Sequence, residues 1–274
     1  MDGFCFGAGL REAAAAAGGE AVGITDALSH PGLRHLKDPP QRMFHRGDLA
    51  LLSRPLVAVI GSRALSPFGK AVAGLAGWLV AETGGSVVSG GALGADTLAA
   101  DACLRAGSPP VLVLACGLDD SSLASLAADQ RRAIGEVLDA GGLLLSEQPE
   151  GRRVRRQALL DRNRIIAALS AGVVVAQAAL PSGSMSTVWR AFELPRHVIA
   201  PQPPAGARDE KGAQGPLLLS SPRPAGADAL RRAGCPQRLI GRLQGQAPLT
   251  PLCPQSSGEL RSMIQELVAT AAFP

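Results

Sequence analysis

Three turns hold the residues of this chain best suited to chemistry, and the chemistry they suit is the binding of an anion. The first is Gly61-Ser62-Arg63, the second Ser89-Gly90-Gly91-Ala92-Leu93-Gly94-Ala95-Asp96, and the third Ser182-Gly183-Ser184. Gly61 allows the backbone to approach a ligand, Ser62 can donate to a phosphate oxygen, and Arg63 can pair with phosphate or stack on a base. The second turn is neither a spaced GxGxxG signature nor a P-loop, since it has no lysine. Asp96 can cap the helix that follows, orient the turn, or meet a ligand hydroxyl. In the third turn, two hydroxyls flank a glycine at a predicted helix start, where unpaired N–H groups and the helix dipole favour negative charge.

Arginine is concentrated beside these turns. Arg152, Arg153, Arg155, Arg156, Arg162 and Arg164 fall in one short window, whereas the lysines are only Lys37, Lys70 and Lys211. Within Arg162-Asn163-Arg164, Asn163 can cap a helix or meet a base edge. Ile165, Ile166 and Leu169 read as core. Glu147, just past a predicted strand, is read as a partner for Arg162 or Arg164. A basic surface of this density points to nucleic acid, and phosphate binding of that kind weakens steeply with salt.

The turns need a scaffold that brings them together, and a βα alternation over 55–200 supplies it. Short unbroken apolar runs predict strands at 56–60, 86–89, 111–115, 143–146, 172–176 and 197–200, as for strands covered on both faces. Helical spacing predicts helices at about 69–83, 95–106, 122–140, 162–170 and 184–194. Ser66-Pro67 reads as an N-cap followed by proline at the first helical position. The fold class is therefore α/β, a doubly wound, mostly parallel sheet with βαβ crossovers. Residues 1–54 read as a small helical lead-in, with the alanine run Leu10 to Ala17 favouring helix. Residues 201–226, rich in Pro, Gly and Ala, read as a linker. Residues 227–274 read as a short helical tail, its clearest helix at about 257–270.

Composition narrows the class. With 274 residues and 46% hydrophobic side chains, the chain can bury the core of one large domain. No apolar run reaches the ~20 residues that span a bilayer, and no basic-then-apolar leader is evident, so neither membrane nor export is expected. Five scattered cysteines without a CxxC pair predict no disulfide framework and no zinc site, and fit a reducing cytoplasm. The four histidines lack ligand spacing, so no metal is expected, and no GxSxG elbow is present.

Taken in order, these segments resemble the DprA/Smf family of DNA-processing proteins. The resemblance begins at His30-Pro31, Leu36-Lys37-Asp38-Pro39-Pro40 and Phe44-His45-Arg46-Gly47. It continues through Val57-Ala58-Val59-Ile60-Gly61-Ser62-Arg63, Ser89-Gly90-Gly91 with Gly94-Ala95-Asp96, Gly117-Leu118-Asp119 and Leu145-Ser146-Glu147. Its most specific piece is Arg162-Asn163-Arg164-Ile165-Ile166-Ala167 with Ser170, followed by Ser182-Gly183-Ser184 and Thr187. The resemblance implies a Rossmann-like domain that binds single-stranded DNA, protects incoming strands in transformation, helps load the RecA recombinase, acts as a homodimer, and needs neither catalysis nor cofactor. It places the motif arginine on Arg63 and the glycine-turn pocket on 89–91 and 182–184. The chain departs from the family at Asp120-Ser121-Ser122, where Tyr-Pro and a basic residue are usual, and it contains no tyrosine. A nucleotide-derivative sensor on the same fold is the alternative. A nucleoside-monophosphate phosphoribohydrolase is disfavoured, because the Pro-Gly-Gly-x-Gly-Thr turn of those enzymes is missing.

Overall fold

The computed structural model describes residues 23–25, 30–194, 196–208, 212–249 and 253–271. The alanine run at 10–17 lies outside the described residues. The six expected strands form as β3 (Leu56–Gly61), β4 (Ser86–Ser89), β5 (Val111–Leu114), β6 (Leu143–Ser146), β7 (Gly172–Gln177) and β8 (His197–Ile199). All six pair in parallel, in the spatial order β6-β5-β4-β3-β7-β8. The lead-in, read as helical, adds two strands to the β6 edge, β1 (Gly23–Thr25) and β2 (Met43–Gly47), both antiparallel. Its described helical turns are short, α1 (Pro31–Arg34) and a 3-10 turn over Leu49–Ser53. Only Met43 of β2 is fully buried. This half-buried antiparallel strand, flanked by β1 and β6, lacks the apolar run of the parallel strands.

Strand alternation sends side chains to two helical layers. Val57 and Val59 meet α2 (Pro67–Glu82) and α3 (Ala95–Arg105), while Leu56, Ala58 and Ile60 share a core with α7 (Asn163–Leu169) and α8 (Gly183–Glu193). Ser66 caps α2 by accepting from the Gly69 N–H at 3.2 Å, with Pro67 at the first helical position. The single helix expected over 122–140 is broken at Leu126-Ala127 into α4 (Asp120–Leu123) and α5 (Ala128–Asp139). The one expected over 162–170 is preceded by α6 (Arg156–Asp161).

The C-terminal quarter packs on both layers. α9 (Gln214–Leu219) lies within the stretch read as a linker, with Gly215, Pro216 and Leu219 buried. α10 (Ala227–Arg232) and α11 (Gln237–Leu243) place Leu230, Leu239, Ile240 and Leu243 in the α7–α8 core. Trp189 Nε1 donates to the Ala233 carbonyl at 3.2 Å. On the opposite face, α12 (Ser257–Ala269) sets Leu260, Ile264, Leu267 and Val268 against the α2 layer.

Two tests of this packing follow. A Cβ on Gly77 would lie 2.2 Å from the Ala99 carbonyl oxygen, a backbone atom that cannot step aside. Gly77→Ala is therefore expected to cost about 1–3 kcal/mol through overpacking of α2 on α3, read by urea denaturation. His30 is buried, and its Nδ1 accepts from the Gly32 N–H at 3.2 Å, which requires the neutral ring. Burial, and then the charges of Arg196 and Arg34, lower its pKa from 6.5 to about 4. The unfolded chain thus binds the extra proton more readily, and stability present near pH 7 is lost as pH falls from 6.5 towards 4. The loss from this group is about 2 kcal/mol at pH 5, and His30→Gln should flatten that limb of the pH–stability curve.

Candidate nucleic-acid interface

The sheet reverses its winding between β3 and β7. From β3 the chain steps outward through β4, β5 and β6, then crosses to β7 on the other side of β3. At such a switch point the loops leaving two adjacent strands diverge and open a crevice at the strands' carboxyl ends. Gly61 and Gln177 end these strands, and the first and third turns flank the crevice. The cleft is about 530 Å³ and is lined by Gly61, Ser62, Arg63, Asp96, Arg156, Arg162, Asn163, Ser182, Gly183, Ser184 and Thr187, with apolar neighbours.

The backbone explains the glycines. A Cβ on Gly61 would lie 2.7 Å from Ala95 Cβ and 2.9 Å from the Gln177 carbonyl oxygen. Gly94 has φ +102°, and its Cβ would fall 2.4 Å from the Ser62 carbonyl oxygen. The first two turns are thus interlocked through positions that only glycine fills. Ser62 Oγ accepts from the Ala64 N–H and Ser182 Oγ from the Met185 N–H, each at 3.2 Å. Both hydroxyl protons are left for a ligand. Ser184 instead donates its proton to the Gly61 carbonyl at 2.8 Å, tying the start of α8 to the end of β3.

Charge is arranged around a buried arginine. Arg162 is 8% exposed, yet lines the cleft. Its Nη1 donates to the Val113 carbonyl at 2.7 Å, and its Nε is buried with no partner among the described residues. Burial lowers its pKa, and the Asp96 charge opposes that shift. Asp96, also buried, accepts from the N–H groups of Gly90 (2.9 Å) and Ala92 (3.3 Å). Its carboxyl is pushed up by burial, with Arg162 pulling the other way. Asp96 therefore orients the turn, while α3 is capped by Gly94 and Thr97. A Cβ on Gly90 would lie 1.7 Å from Arg162 Nη1, so this glycine makes room for the guanidinium. Arg63 and Arg156 are exposed on the cleft wall. Among the described residues, Asp96 is the one carboxylate in the lining.

Not every expected site residue reaches the cleft. Arg164 holds Glu147 with two parallel bonds (2.6 and 2.7 Å) and donates to the Asp38 and Asp161 carbonyls. It braces the β6 edge against α7. Asn163 lines the cleft but donates to the Gly183 carbonyl at 3.1 Å, bracing the third turn. Ser89, Gly91 and Gly94 shape the second turn behind the wall. Leu159 and Pro181, which carry no polar signal in the sequence, also line the cleft. Arg152, Arg153, Arg155 and Arg156 are exposed, and their side chains have no ion-pair partner among the described residues. That surface continues the cleft's positive charge outward.

The family model for DNA recombination-mediator protein A matches residues 21–220. The chain belongs to that family. Protein Smf of Escherichia coli is 35% identical over 197 residues, covering 70% of this chain and 52% of that protein. The DNA processing protein DprA of Streptococcus pneumoniae is 38% identical, over 61% of this chain and 57% of that one. The chain thus spans little more than half the length of these recombination-mediator relatives. Among solved structures, Streptococcus pneumoniae DprA matches with a TM-score of 0.60 and 33% identity, over 69% of this chain and 66% of that one. DNA processing protein A of Helicobacter pylori gives 0.59 and 31%, over 68% of this chain and 82% of that one. The Helicobacter pylori structure concerns that protein's single-stranded DNA binding mode. The Rossmann-like α/β fold is the one these family members share.

Proposed function

We propose that this protein binds single-stranded DNA, with backbone phosphates held in the switch-point cleft and along the arginine surface beside it. The observation that carries the reading is the convergence of Arg63, Arg156 and Arg162 on the start of α8, with Asp96 as the sole opposing carboxylate. Orphan N–H groups at a helix start and guanidinium forks suit phosphate oxygens. Family membership and the binding mode described for the Helicobacter pylori relative support the same ligand. In this reading the site residues are Gly61, Ser62, Arg63, Gly90, Asp96, Arg162, Asn163, Ser182, Gly183 and Ser184. The protein protects incoming strands in the cytoplasm, works as a homodimer, helps deliver DNA to RecA, and performs no bond chemistry.

The test is a fluorescence-anisotropy titration of labelled oligo-dT, wild type beside Arg63→Ala, at two salt concentrations. The expected result is tight binding by the wild type, falling with salt by about 0.7 in log–log slope per phosphate contact. Arg63→Ala should lower both the affinity and that slope. A folded wild type that does not bind at low salt overturns the reading. A nucleotide derivative is the second reading, favoured because no aromatic ring among the described residues lines the cleft. Thermal stabilisation by mononucleotides but not by oligonucleotides would select it.

A further inference from the structure

Three glycines give way to one buried residue behind the cleft. Gln177 ends β7 and is 3% exposed. A Cβ on Gly69 would lie 2.1 Å from its Oε1, one on Gly212 2.7 Å from its Nε2, and one on Gly61 2.9 Å from its carbonyl oxygen. These glycines come from α2, from the segment before α9 and from the first turn, so the three meet at this residue. A gap in the core is filled most cheaply by an apolar side chain, because a buried amide costs free energy unless its polar atoms are bonded. The bonds of Gln177 are therefore the reason to look for a role.

Those bonds bracket the first turn. The Gln177 carbonyl accepts from the Ser62 N–H at 2.8 Å, and its side-chain Oε1 accepts from the Ser66 N–H at 2.9 Å. Both ends of the stretch that carries Arg63 are thus tied to one residue. The second turn closes the stretch from the other side. There the Ala95 N–H donates to the Ser62 carbonyl at 3.2 Å, and a Cβ on Gly94 would fall 2.7 Å from Arg63 Cα. Among the described residues no hydrogen bond or ion pair holds the Arg63 guanidinium, so the backbone beneath it sets where the charge stands. Residues 212–215 back the glutamine in turn. The Ala178 N–H donates to the Gly212 carbonyl at 2.8 Å, and the Gly215 N–H to the Ala178 carbonyl at 2.7 Å, which holds Gly212 against the amide.

We propose that Gln177 is a positioning residue for strand binding, presetting the first turn so that Arg63 meets a backbone phosphate. The inference rests on the single-strand reading above. An arginine on a loose loop loses part of its contact energy to ordering that loop on binding, and one on a fixed turn does not. Gln177 acts through Arg63 and does not itself touch the strand.

The experiment is an anisotropy titration of labelled oligo-dT with wild type, Gln177→Leu, Gly212→Ala, Ser66→Ala and Ser66→Pro, each with and without Arg63→Ala, and circular dichroism confirms folding. Gln177→Leu keeps bulk and loses the acceptor. Gly212→Ala leaves the glutamine in place and presses on its amide from outside the cleft. Ser66 has φ −69°, which proline adopts, so Ser66→Pro deletes the N–H, whereas Ser66→Ala deletes only the cap of α2. Gln177→Leu, Gly212→Ala and Ser66→Pro are expected to weaken binding by about 3- to 10-fold, the worth of one neutral hydrogen bond. Ser66→Ala should stay close to wild type. In the Arg63→Ala background the same changes should add nothing, which a general loosening of the fold would not produce. Folded Gln177→Leu and Ser66→Pro proteins that bind as wild type does overturn the inference and leave the single-strand reading standing. So do equal losses with and without Arg63, which would make the glutamine structural only. Should Gln177→Leu not fold, the Ser66 pair decides. A folded wild type that binds no oligo-dT overturns the single-strand reading, and this inference with it.

Discussion

Glu147→Ala should lower the unfolding free energy by about 3–5 kcal/mol, the range for removing one partner of a buried ion pair. The Arg164 side chain is 10% exposed and that of Glu147 21%, and both guanidinium nitrogens are engaged by the carboxylate. Removing the carboxylate leaves a buried charge with only backbone carbonyls to face. The measurement is urea denaturation of wild type, Glu147→Ala, Arg164→Met and the double variant. The double variant is expected to recover part of the loss, because the orphaned charge goes with its partner. A Glu147→Ala protein within 1 kcal/mol of wild type would show that the pair does not brace the fold.

Gly90→Ala should reproduce the DNA-binding defect of Arg162→Met. The added methyl occupies the place of the guanidinium, which the Val113 carbonyl and the Asp96 charge otherwise hold. Displacing that cation removes a charge-assisted contact of about 1.5–3 kcal/mol, roughly 10- to 100-fold in affinity. Anisotropy at fixed salt gives the numbers, and circular dichroism confirms folding. In the Arg162→Met background, Gly90→Ala should add little, since its target is gone. A folded Gly90→Ala protein that binds oligo-dT at wild-type level would remove Arg162 from the interface.

The parallel strands were readable because each is covered on both faces and so is spelled as an unbroken apolar run. Val173-Val174-Val175 needs no alternation to be recognised. Met43–Gly47 was not readable, because an antiparallel strand with one fully buried side chain leaves no such run. The helix break at Leu126-Ala127 carries neither Gly nor Pro, so the periodicity flows across it. The first and third turns come together around one cleft, since strand ends at a switch point must lie side by side. Individual roles were not legible at that level. Arg162 and Arg164 share type and neighbourhood, but Arg162 sits at the α6–α7 junction in right-handed helical backbone, and two steps along such a turn rotate a side chain by about 200°. One therefore faces the cleft and the other faces Glu147. Leu159, on the wall of the cleft, lies outside every glycine turn, and only the folded chain brings it there.

The position of α12 has a consequence for synthesis. Leu260, Ile264, Leu267 and Val268 cover the same apolar layer as Val57, Val72, Leu79 and Val174, yet they leave the ribosome almost 200 residues after β3. Chains emerge N-terminus first, and at that stage transiently bare apolar surface invites aggregation. A nascent chain stalled before Ser257 therefore carries the strand order of the sheet with one layer still uncovered. Arrested chains of increasing length should bind a hydrophobic holdase until α12 has cleared the exit tunnel, and then release it.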